Sequence, residues 1–171
     1  MNKSELRRRL QQVRQDLPAA ERAAFSREIA ARLLRAVEWP NGVVVHCFEP
    51  IARLAEVDLT GFMAALRAEH HAHIYASHKV GGQWRIVSVG TDKPAAEPRF
   101  DVIIVPMLGF DPQTLYRIGY GGGYYDRFLA EQPQAHKIGV CFEAGKLQQL
   151  PAEPHDVAMD LIVTEGHSYT P

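Results

Sequence analysis

Two nearly continuous apolar runs constrain the fold of this chain more than any other feature. They cover residues 43–48 and 101–105, and the second is followed by Pro106. Runs of this kind are typical of strands that are covered on both faces, as in a parallel sheet. The pattern predicts further strands at residues 73–76, 84–89, 137–142 and 160–164, and a hairpin turn at Gly81 and Gly82.

Apolar residues between these runs recur with helical spacing, which predicts helices that alternate with the strands. The three stripes are Leu6, Leu10, Val13 and Leu17; Phe25, Ile29, Leu33 and Val37; and Leu59, Phe62, Met63 and Leu66. This alternation indicates an α/β fold, a three-layer domain with a mainly parallel sheet flanked by helices. The length of 171 residues suggests a single domain over residues 1–171. The tail at residues 166–171 is expected to be loose.

Composition excludes several other classes of protein. The chain is 46% hydrophobic and 23% charged, without a run near the ~18 apolar residues of a membrane span. The first 14 residues contain no apolar signal core. The two cysteines, Cys47 and Cys141, lie far apart in apolar runs, so we expect buried thiols rather than a disulfide scaffold or a four-cysteine zinc site. These features predict a cytoplasmic protein that does not associate with membranes.

Charge is distributed unevenly along the chain. Residues 1–35 hold nine basic and four acidic side chains, a net charge of +5, whereas the remainder holds ten and sixteen, a net charge of −6. The basic segment is either a solvated helix face or part of a site for a polyanion such as a nucleotide or RNA. The acidic remainder and the lack of an RNA-binding signature argue against nucleic acid.

The stretch RIGYGGGYYDR at residues 117–127 indicates a ligand site. Four of the thirteen glycines lie inside this stretch, between positions 119 and 123. Glycine lets the backbone adopt positive φ and approach a ligand closely. Arg117 and Arg127 add positive charge, and Asp126 offers the oxygen ligands that Mg²⁺ prefers. The stretch matches neither a Walker A nor a Rossmann pattern. A merely flexible loop remains the alternative, although Tyr124 and Tyr125 add rigid stacking surface.

With the glycine stretch, further motifs along the chain resemble the 5-formyltetrahydrofolate cyclo-ligase family. The matching segments are KSELR at 3–7, EVD at 56–58, Glu97-Pro98, VPMLGFD at 105–111, Leu150-Pro151, His155-Asp156 and LIVT at 161–164. The resemblance extends over nearly the whole chain, and it implies a CoA-transferase-like α/β fold.

The resemblance also implies a reaction. The family converts 5-formyltetrahydrofolate to 5,10-methenyltetrahydrofolate with ATP and Mg²⁺, releasing ADP and phosphate through a phosphorylated formyl group, an iminium phosphate. The implied partners are therefore small molecules, ATP and a reduced folate, with the protein acting as a monomer or weak homodimer. Phosphoryl transfer depends on positioning and charge neutralisation, so we expect no catalytic triad.

The family's functional residues carry over to matching positions of this chain. Lys3 and Arg7, which share a helix face because of their four-residue spacing, would contact the phosphates. The loop would bind the nucleotide through Arg117, Ile118, Gly119, Tyr120, Gly121, Gly122, Gly123, Tyr124 and Tyr125. Arg117 and Tyr125 would be catalytic, and Tyr124 would contact the folate together with Ile51 and Glu56. Asp126 and Asp156 would hold Mg²⁺.

Other interpretations of several residues stay open. Lys3 and Arg7 could be only a solvated face, Asp156 could cap a turn, and Glu56 could pair with Arg53.

Some side chains and one segment are similarly ambiguous. Trp84 could stack on folate or pack in the core, and we expect His155 to be structural. The histidines at 70, 71, 73 and 78 favour a surface role over a metal site. Residues 75–80 lack a proline motif common in the family, which leaves open a nucleotide-binding relative with lost or altered folate activity.

Overall fold

The structure is a computed structural model that describes residues 1–91 and 98–171. Glu97, part of a motif matched above, lies outside the described residues. None of the helices in the two described ranges is long and apolar enough to span a membrane.

Helices and strands are interspersed along the described chain, but they alternate less regularly than the apolar pattern predicts. The helices are α1 (Lys3–Asp16), α2 (Ala19–Ala36), α3 (Thr60–His70) and α4 (Tyr124–Ala130). The strands are β1 (Val44–His46), β2 (His73–Val80), β3 (Gln83–Ser88), β4 (Val102–Pro106), β5 (Gly109–Phe110), β6 (Arg117–Ile118), β7 (His136–Val140), β8 (Leu161–Val163) and β9 (Ser168–Tyr169). The predicted strand at 43–48 is shorter in the structure, and the one at 73–76 is longer.

Seven of the described strands form one mixed sheet in the order β3-β2-β1-β4-β7-β8-β9. The five inner strands are parallel to one another, and Val45 lies opposite Ile74 on one side and Val102 on the other. The two edge strands, β3 and β9, pair antiparallel. The prediction of a mainly parallel sheet is therefore confirmed.

Successive residues of the central strand β4 point into two different hydrophobic layers, because side chains alternate along a strand. Ile104 lies in a core shared with α2 and α3, whereas Ile103 and Val105 lie in a second core that includes Phe128 of α4. All three of these β4 side chains have no exposed surface. The sheet is thus sandwiched between α2 and α3 on one face and α4 on the other, which confirms the three-layer α/β fold.

A third, smaller cluster attaches α1 to the body of the protein. Leu10 of α1 packs with Leu108, Ile118 and Leu150 beside the short β5–β6 hairpin. The start of α1 is fixed by a capping box. In this box the Asn2 side chain accepts a hydrogen bond from the Glu5 backbone, and the Glu5 carboxylate accepts one from the Asn2 backbone. These contacts determine where the basic side chains of α1 lie.

The attachment also depends on a close backbone approach at Gly145. A Cβ atom there would lie 2.6 Å from the Leu108 carbonyl oxygen and 2.6 Å from Cys141 Sγ. We expect Gly145→Ala to lower the free energy of unfolding by at least about 1 kcal/mol, the lower end of the cost of overpacking. Urea unfolding measures this loss. Gly166→Ala is the control, because its Cβ would meet no atom within 4 Å; equal stability of the two variants would contradict the prediction.

The expectation of a loose C-terminal tail is wrong. Ser168 and Tyr169 form the edge strand β9 on β8, and the Glu143 carboxylate accepts hydrogen bonds of 2.6 Å from both Thr164 and Tyr169. The sequence pattern does not predict this strand, because two residues are too few to show an alternation of apolar and polar side chains. The expectation for the cysteines is confirmed, because Cys47 and Cys141 are free and buried, and burial raises the pKa of each thiol to about 12.

Candidate active site

The topology places a crevice at the carboxyl end of β4. β1 and β4 are neighbours in the sheet. From β1 the chain continues to β2, toward one edge of the sheet, and from β4 it continues to β7, toward the opposite edge. Ligands of open α/β sheets bind at such a switch point, outside the carboxyl ends of the strands. Pro106, the last residue of β4, lines a cavity of about 330 Å³. This volume lies within the usual range for small-molecule sites.

The cavity brings together most of the site residues that the sequence predicts. Its walls are Lys3, Arg7, Trp84, Pro106, Arg117, Ile118, Gly119, Tyr120, Gly121, Gly122, Gly123, Tyr124, Tyr125, Asp126, Glu153, His155 and Asp156. The predicted residues Ile51 and Glu56 do not line it. Pro106, Glu153 and His155 line it without having been assigned to a ligand site from the sequence, and Trp84 lines it in agreement with one of its two interpretations.

The glycine stretch forms the turn that leads into α4. Gly121 and Gly123 have φ angles of 96° and 69°, in a region that favours glycine. A Cβ atom on Gly121 would lie 3.0 Å from Arg7 Cζ, and Arg7 Nε donates a 3.0 Å hydrogen bond to the Gly119 carbonyl. The loop backbone is therefore directly beside the guanidinium of α1. Since α4 has only seven residues, the charge of these side chains matters more here than a helix dipole.

A cluster of potential metal ligands lies on one wall. Asp126, His155 and Asp156 each offer one ligand atom, and these atoms lie within 4.8 Å of one another. Arg117, whose side chain is 7% exposed, donates 3.0 Å to Asp126 Oδ1 and 3.1 Å to the Val157 carbonyl. Two carboxylates fit a hard cation such as Mg²⁺, which otherwise keeps several of its waters.

Lys3 faces the same carboxylates. Its ammonium lies 2.8 Å from Glu153 and 3.0 Å from Asp156. Although burial alone would lower the pKa of Lys3, the hydrogen bonds that its ammonium donates to these carboxylates raise it. Burial would raise the pKa of Asp156, but hydrogen bonds from the Glu153 backbone and Lys3 lower it. Asp156 therefore both caps a local turn, as one interpretation expected, and carries a negative charge on the cavity wall.

Behind the loop, Tyr120 connects three distant segments. Its hydroxyl accepts a 2.6 Å hydrogen bond from Arg14 Nη2 and donates 2.9 Å to Glu56 Oε1. The other Glu56 oxygen accepts 2.7 Å from the Ile51 backbone. Among the described residues no ion pair joins Glu56 to Arg53. Ile51 and Glu56 thus adjoin the cavity through Tyr120.

Arg14 was missed as a site residue because it lies mostly off the apolar stripe of α1. It is nevertheless 5% exposed. Arg14 follows Arg7 by seven residues, or two turns of α1, so the two side chains share a helix face. This spacing was the available indication that both would lie toward the glycine loop.

Aromatic rings form the wall nearest the sheet. The Tyr124 ring stacks on Trp84 with centroids 4.5 Å apart and on Phe128 at 5.7 Å. Trp84 is 47% exposed, so the core interpretation of this residue is wrong and it forms the rim of the cavity. Burial raises the pKa of the Tyr124 hydroxyl and raises that of Tyr125 well above its usual value. Both phenols are therefore neutral at physiological pH and able to donate hydrogen bonds.

The histidines separate into two groups. The clustered ligand atoms in the described part of the chain include none of the histidines at 70, 71, 73 and 78, and His78 lies 2.8 Å from Glu49. The expectation of a structural His155 is not met, because its side chain is 67% exposed at the cavity and 3.7 Å from Asp156. Its adjacency to Asp156 in sequence was the available signal.

A mainly parallel α/β sheet, with a cavity at its carboxyl edge that a glycine loop and charged side chains of both signs line, is typical of enzymes that act on small molecules. Comparison with known proteins narrows the class. The sequence model described as the 5-formyltetrahydrofolate cyclo-ligase family matches residues 1–165. This chain therefore belongs to the 5-formyltetrahydrofolate cyclo-ligase family, which confirms both the resemblance and the expectation of a ligase.

Individual relatives agree with this assignment. A 5-formyltetrahydrofolate cyclo-ligase of Mycoplasma pneumoniae is 31% identical over 170 residues, covering 96% of this chain and 99% of the relative. The solved 5,10-methenyltetrahydrofolate synthetase of the same species superimposes with a TM-score of 0.83 at 26% identity, covering 96% and 99% of the two chains. The synthetase of Aquifex aeolicus gives a TM-score of 0.76 at 28% identity, with 99% and 93% covered.

Proposed function

We propose that this protein converts 5-formyltetrahydrofolate to 5,10-methenyltetrahydrofolate in a reaction that requires ATP and Mg²⁺ and releases ADP and phosphate. The observation that carries the proposal is the composition of one cavity. Lys3 and Arg7 of α1, the glycine turn and the carboxylates Asp126 and Asp156 all face it, together with an aromatic wall. Phosphate-binding, cation-binding and ring-stacking groups are thus within reach of a single ligand pair.

The chemistry follows from the poor leaving ability of an amide-like oxygen. The formyl oxygen would attack the γ-phosphorus of ATP, the bond to ADP would break, and an iminium phosphate would result. The neighbouring side-arm nitrogen would then add to the activated carbon and lose its proton. Departure of phosphate with the original formyl oxygen leaves the methenyl bridge. This route asks the protein for positioning and charge neutralisation rather than for a nucleophile.

On the nucleotide side, the positive groups would bind the phosphates. The loop residues 117–125 would wrap the nucleotide, with the Arg7 guanidinium already held against the Gly119 carbonyl. Lys3 would present its ammonium from the first turn of α1. Arg117 would have two roles: it orients the Asp126 carboxylate and it adds positive charge beside the phosphates, while the neutral Tyr125 phenol would donate to the transferring group.

On the metal side, Asp126 and Asp156 would hold Mg²⁺, with His155 close enough to act directly or through water. When bound there, the ion would neutralise charge on the phosphate oxygens. The ammonium of Lys3 is at present the cation that balances Asp156. The same carboxylates therefore already bind positive charge in this structure.

On the folate side, the indole of Trp84, which Tyr124 supports by stacking and which is 47% exposed, would offer a flat apolar surface for a pteridine ring. Glu56, held by Tyr120 and the Ile51 backbone, would accept hydrogen bonds from the ligand at the adjoining edge. Ile51 is 44% exposed beside this carboxylate, so it would provide apolar contact there.

The test is an absorbance assay for methenyltetrahydrofolate. We expect product only when ATP, Mg²⁺ and 5-formyltetrahydrofolate are all present, with one ADP released for each folate converted. Product formed without ATP would overturn the proposed coupling. Binding of ATP with no absorbance change would instead support the alternative of a relative with lost or altered folate activity.

A variant at Arg117 tests its assignment. We expect Arg117→Ala to raise the ATP and Mg²⁺ concentrations for half-maximal rate by about 10- to 100-fold, the effect seen when the partner that orients a metal ligand is removed. Titration of each reactant at saturating folate measures the change. Arg85→Ala, on the exposed edge strand β3, is the matched control. Half-saturating concentrations equal to wild type would contradict the assignment.

A further inference from the structure

His46 is a polar residue at the centre of the sheet that the proposed reaction does not use. It is the last residue of β1, lies between Tyr75 of β2 and Ile103 of β4, and has no exposed surface. Burial lowers the pKa of its imidazole to about 3. The ring is therefore neutral and carries one hydrogen.

A chain of hydrogen bonds leads from this imidazole to the cavity. His46 Nε2 lies 2.8 Å from Ser77 Oγ on β2. Ser77 Oγ is in turn hydrogen-bonded to the Tyr124 hydroxyl, and Tyr124 lines the cavity. The three residues come from β1, β2 and α4, so the chain crosses from the sheet to the helix layer above it.

The surroundings of the other ring nitrogen determine the direction of this chain. His46 Nδ1 is buried and has no hydrogen-bond partner among the described residues. Aromatic rings surround the imidazole, with the centroids of Phe128 and Phe100 at 4.7 and 5.4 Å. An orphaned buried N–H is rarer than an under-satisfied acceptor, which places the hydrogen on Nε2. Nε2 then donates to Ser77 Oγ. Either hydroxyl can be the donor in the contact between Ser77 and Tyr124, and a Ser77 that accepts from His46 keeps its own hydrogen available for the Tyr124 oxygen.

We propose that His46 and Ser77 are positioning residues that fix the Tyr124 hydroxyl as a hydrogen-bond donor toward the cavity. Because the Tyr124 oxygen accepts from Ser77, its own hydrogen is free to point at a ligand. The group recognised would be an uncharged or anionic acceptor atom on the molecule that stacks against the indole of Trp84. The choice of reduced folate as that molecule rests on the proposed function. The donor-to-acceptor direction of the hydrogen bonds from His46 to Tyr124 does not depend on it.

The first experiment needs no ligand. Long-range ¹H–¹⁵N correlation spectra of the histidine rings, with the His46 signal assigned by its loss in His46→Gln, report which nitrogen carries the hydrogen. We expect the Nε2–H form, unchanged from neutral pH down to about pH 5. A ring that carries its hydrogen on Nδ1 would overturn the proposal, since the chain would then run from Tyr124 toward His46.

The second experiment measures 5-formyltetrahydrofolate binding through the fluorescence of Trp84. Loss of one hydrogen bond in Tyr124→Phe should weaken binding about 3- to 10-fold, and His46→Met and Ser77→Ala should cause a similar loss. His46→Gln should retain most of the affinity, because its amide N–H can replace Nε2–H. In the Tyr124→Phe background, His46→Met should add no further loss. Thermal melts confirm that each variant is folded.

The outcomes are distinguishable. If wild-type protein binds no folate, the proposed function fails while the ring spectra still decide the polarity. If wild type binds, but the losses of His46→Met and Tyr124→Phe multiply, the two residues act independently and the positioning proposal is wrong. Equal loss in His46→Gln and His46→Met would also overturn it, because only a packing role would be left.

Discussion

Asp126→Asn is expected to lower turnover by at least about 100-fold while the protein remains folded. Removing a group that only orients a metal ligand costs up to about 100-fold in activity, and we expect the loss of a ligand itself to cost at least as much. The substitution keeps the side-chain volume but removes the charge from the three-residue cluster with His155 and Asp156. It also leaves Arg117, with a side chain only 7% exposed, without its ionic partner. Both effects weaken the site that would hold the cation beside the phosphates.

The measurement is the rate of methenyltetrahydrofolate formation across a Mg²⁺ titration. Asp16→Asn provides the control, because Asp16 is an exposed carboxylate at the far end of α1 that accepts a hydrogen bond only from Gln12 among the described contacts. It should retain wild-type turnover and Mg²⁺ dependence. Full activity of Asp126→Asn would show that this carboxylate does not hold the cation.

Gly121→Ala should weaken ATP binding by at least about tenfold. A φ angle of 96° is strained for any residue with a Cβ, so we expect the free loop of the variant to relax to another conformation. ATP binding must then restore the turn at a cost of roughly 1–2 kcal/mol, and each 1.4 kcal/mol corresponds to about a factor of ten in affinity. The new methyl group would also lie 3.0 Å from Arg7 Cζ. It would therefore displace the guanidinium that we place on the phosphates.

The adjacent Gly122 supplies a matched control. Its φ is not positive, and a Cβ there would meet no atom within 4 Å, so Gly122→Ala adds the same methyl group without strain. Calorimetric titration with ATP should separate the two variants by the full effect. If both bind ATP as wild type does, the turn geometry is irrelevant to nucleotide binding.

The sequence was informative where a structural signal is local. The apolar run at 101–105 predicted β4, and the glycines at 119–123 predicted a loop with positive φ, because burial on both faces and positive φ each depend on only a few consecutive residues. The resemblance to a family then added the distant residues Lys3 and Asp156, which the structure brings to one cavity.

Features formed by contacts between distant residues could not be predicted in this way. Arg14 and Tyr120 are 106 positions apart, and neither one signals the other. The hydrogen bonds that link His46 to Tyr124 could not be predicted, because the spacing of residues in an apolar strand does not show whether a histidine there has a polar partner. Trp84 was ambiguous for a similar reason: an aromatic residue in a strand faces either the core or the rim, and only the packing of Tyr124 on it decides.

The capping box at Asn2 and Glu5 has a practical consequence for purification. Because of this box α1 begins at Lys3, two residues after Met1, and the Lys3 ammonium contacts Asp156. Any affinity tag fused ahead of that methionine would emerge beside the cavity and could compete for its carboxylates, particularly a polyhistidine tag. A tag fused after Pro171 would instead follow the edge strand, and recombinant protein for metal titrations should be prepared in that form.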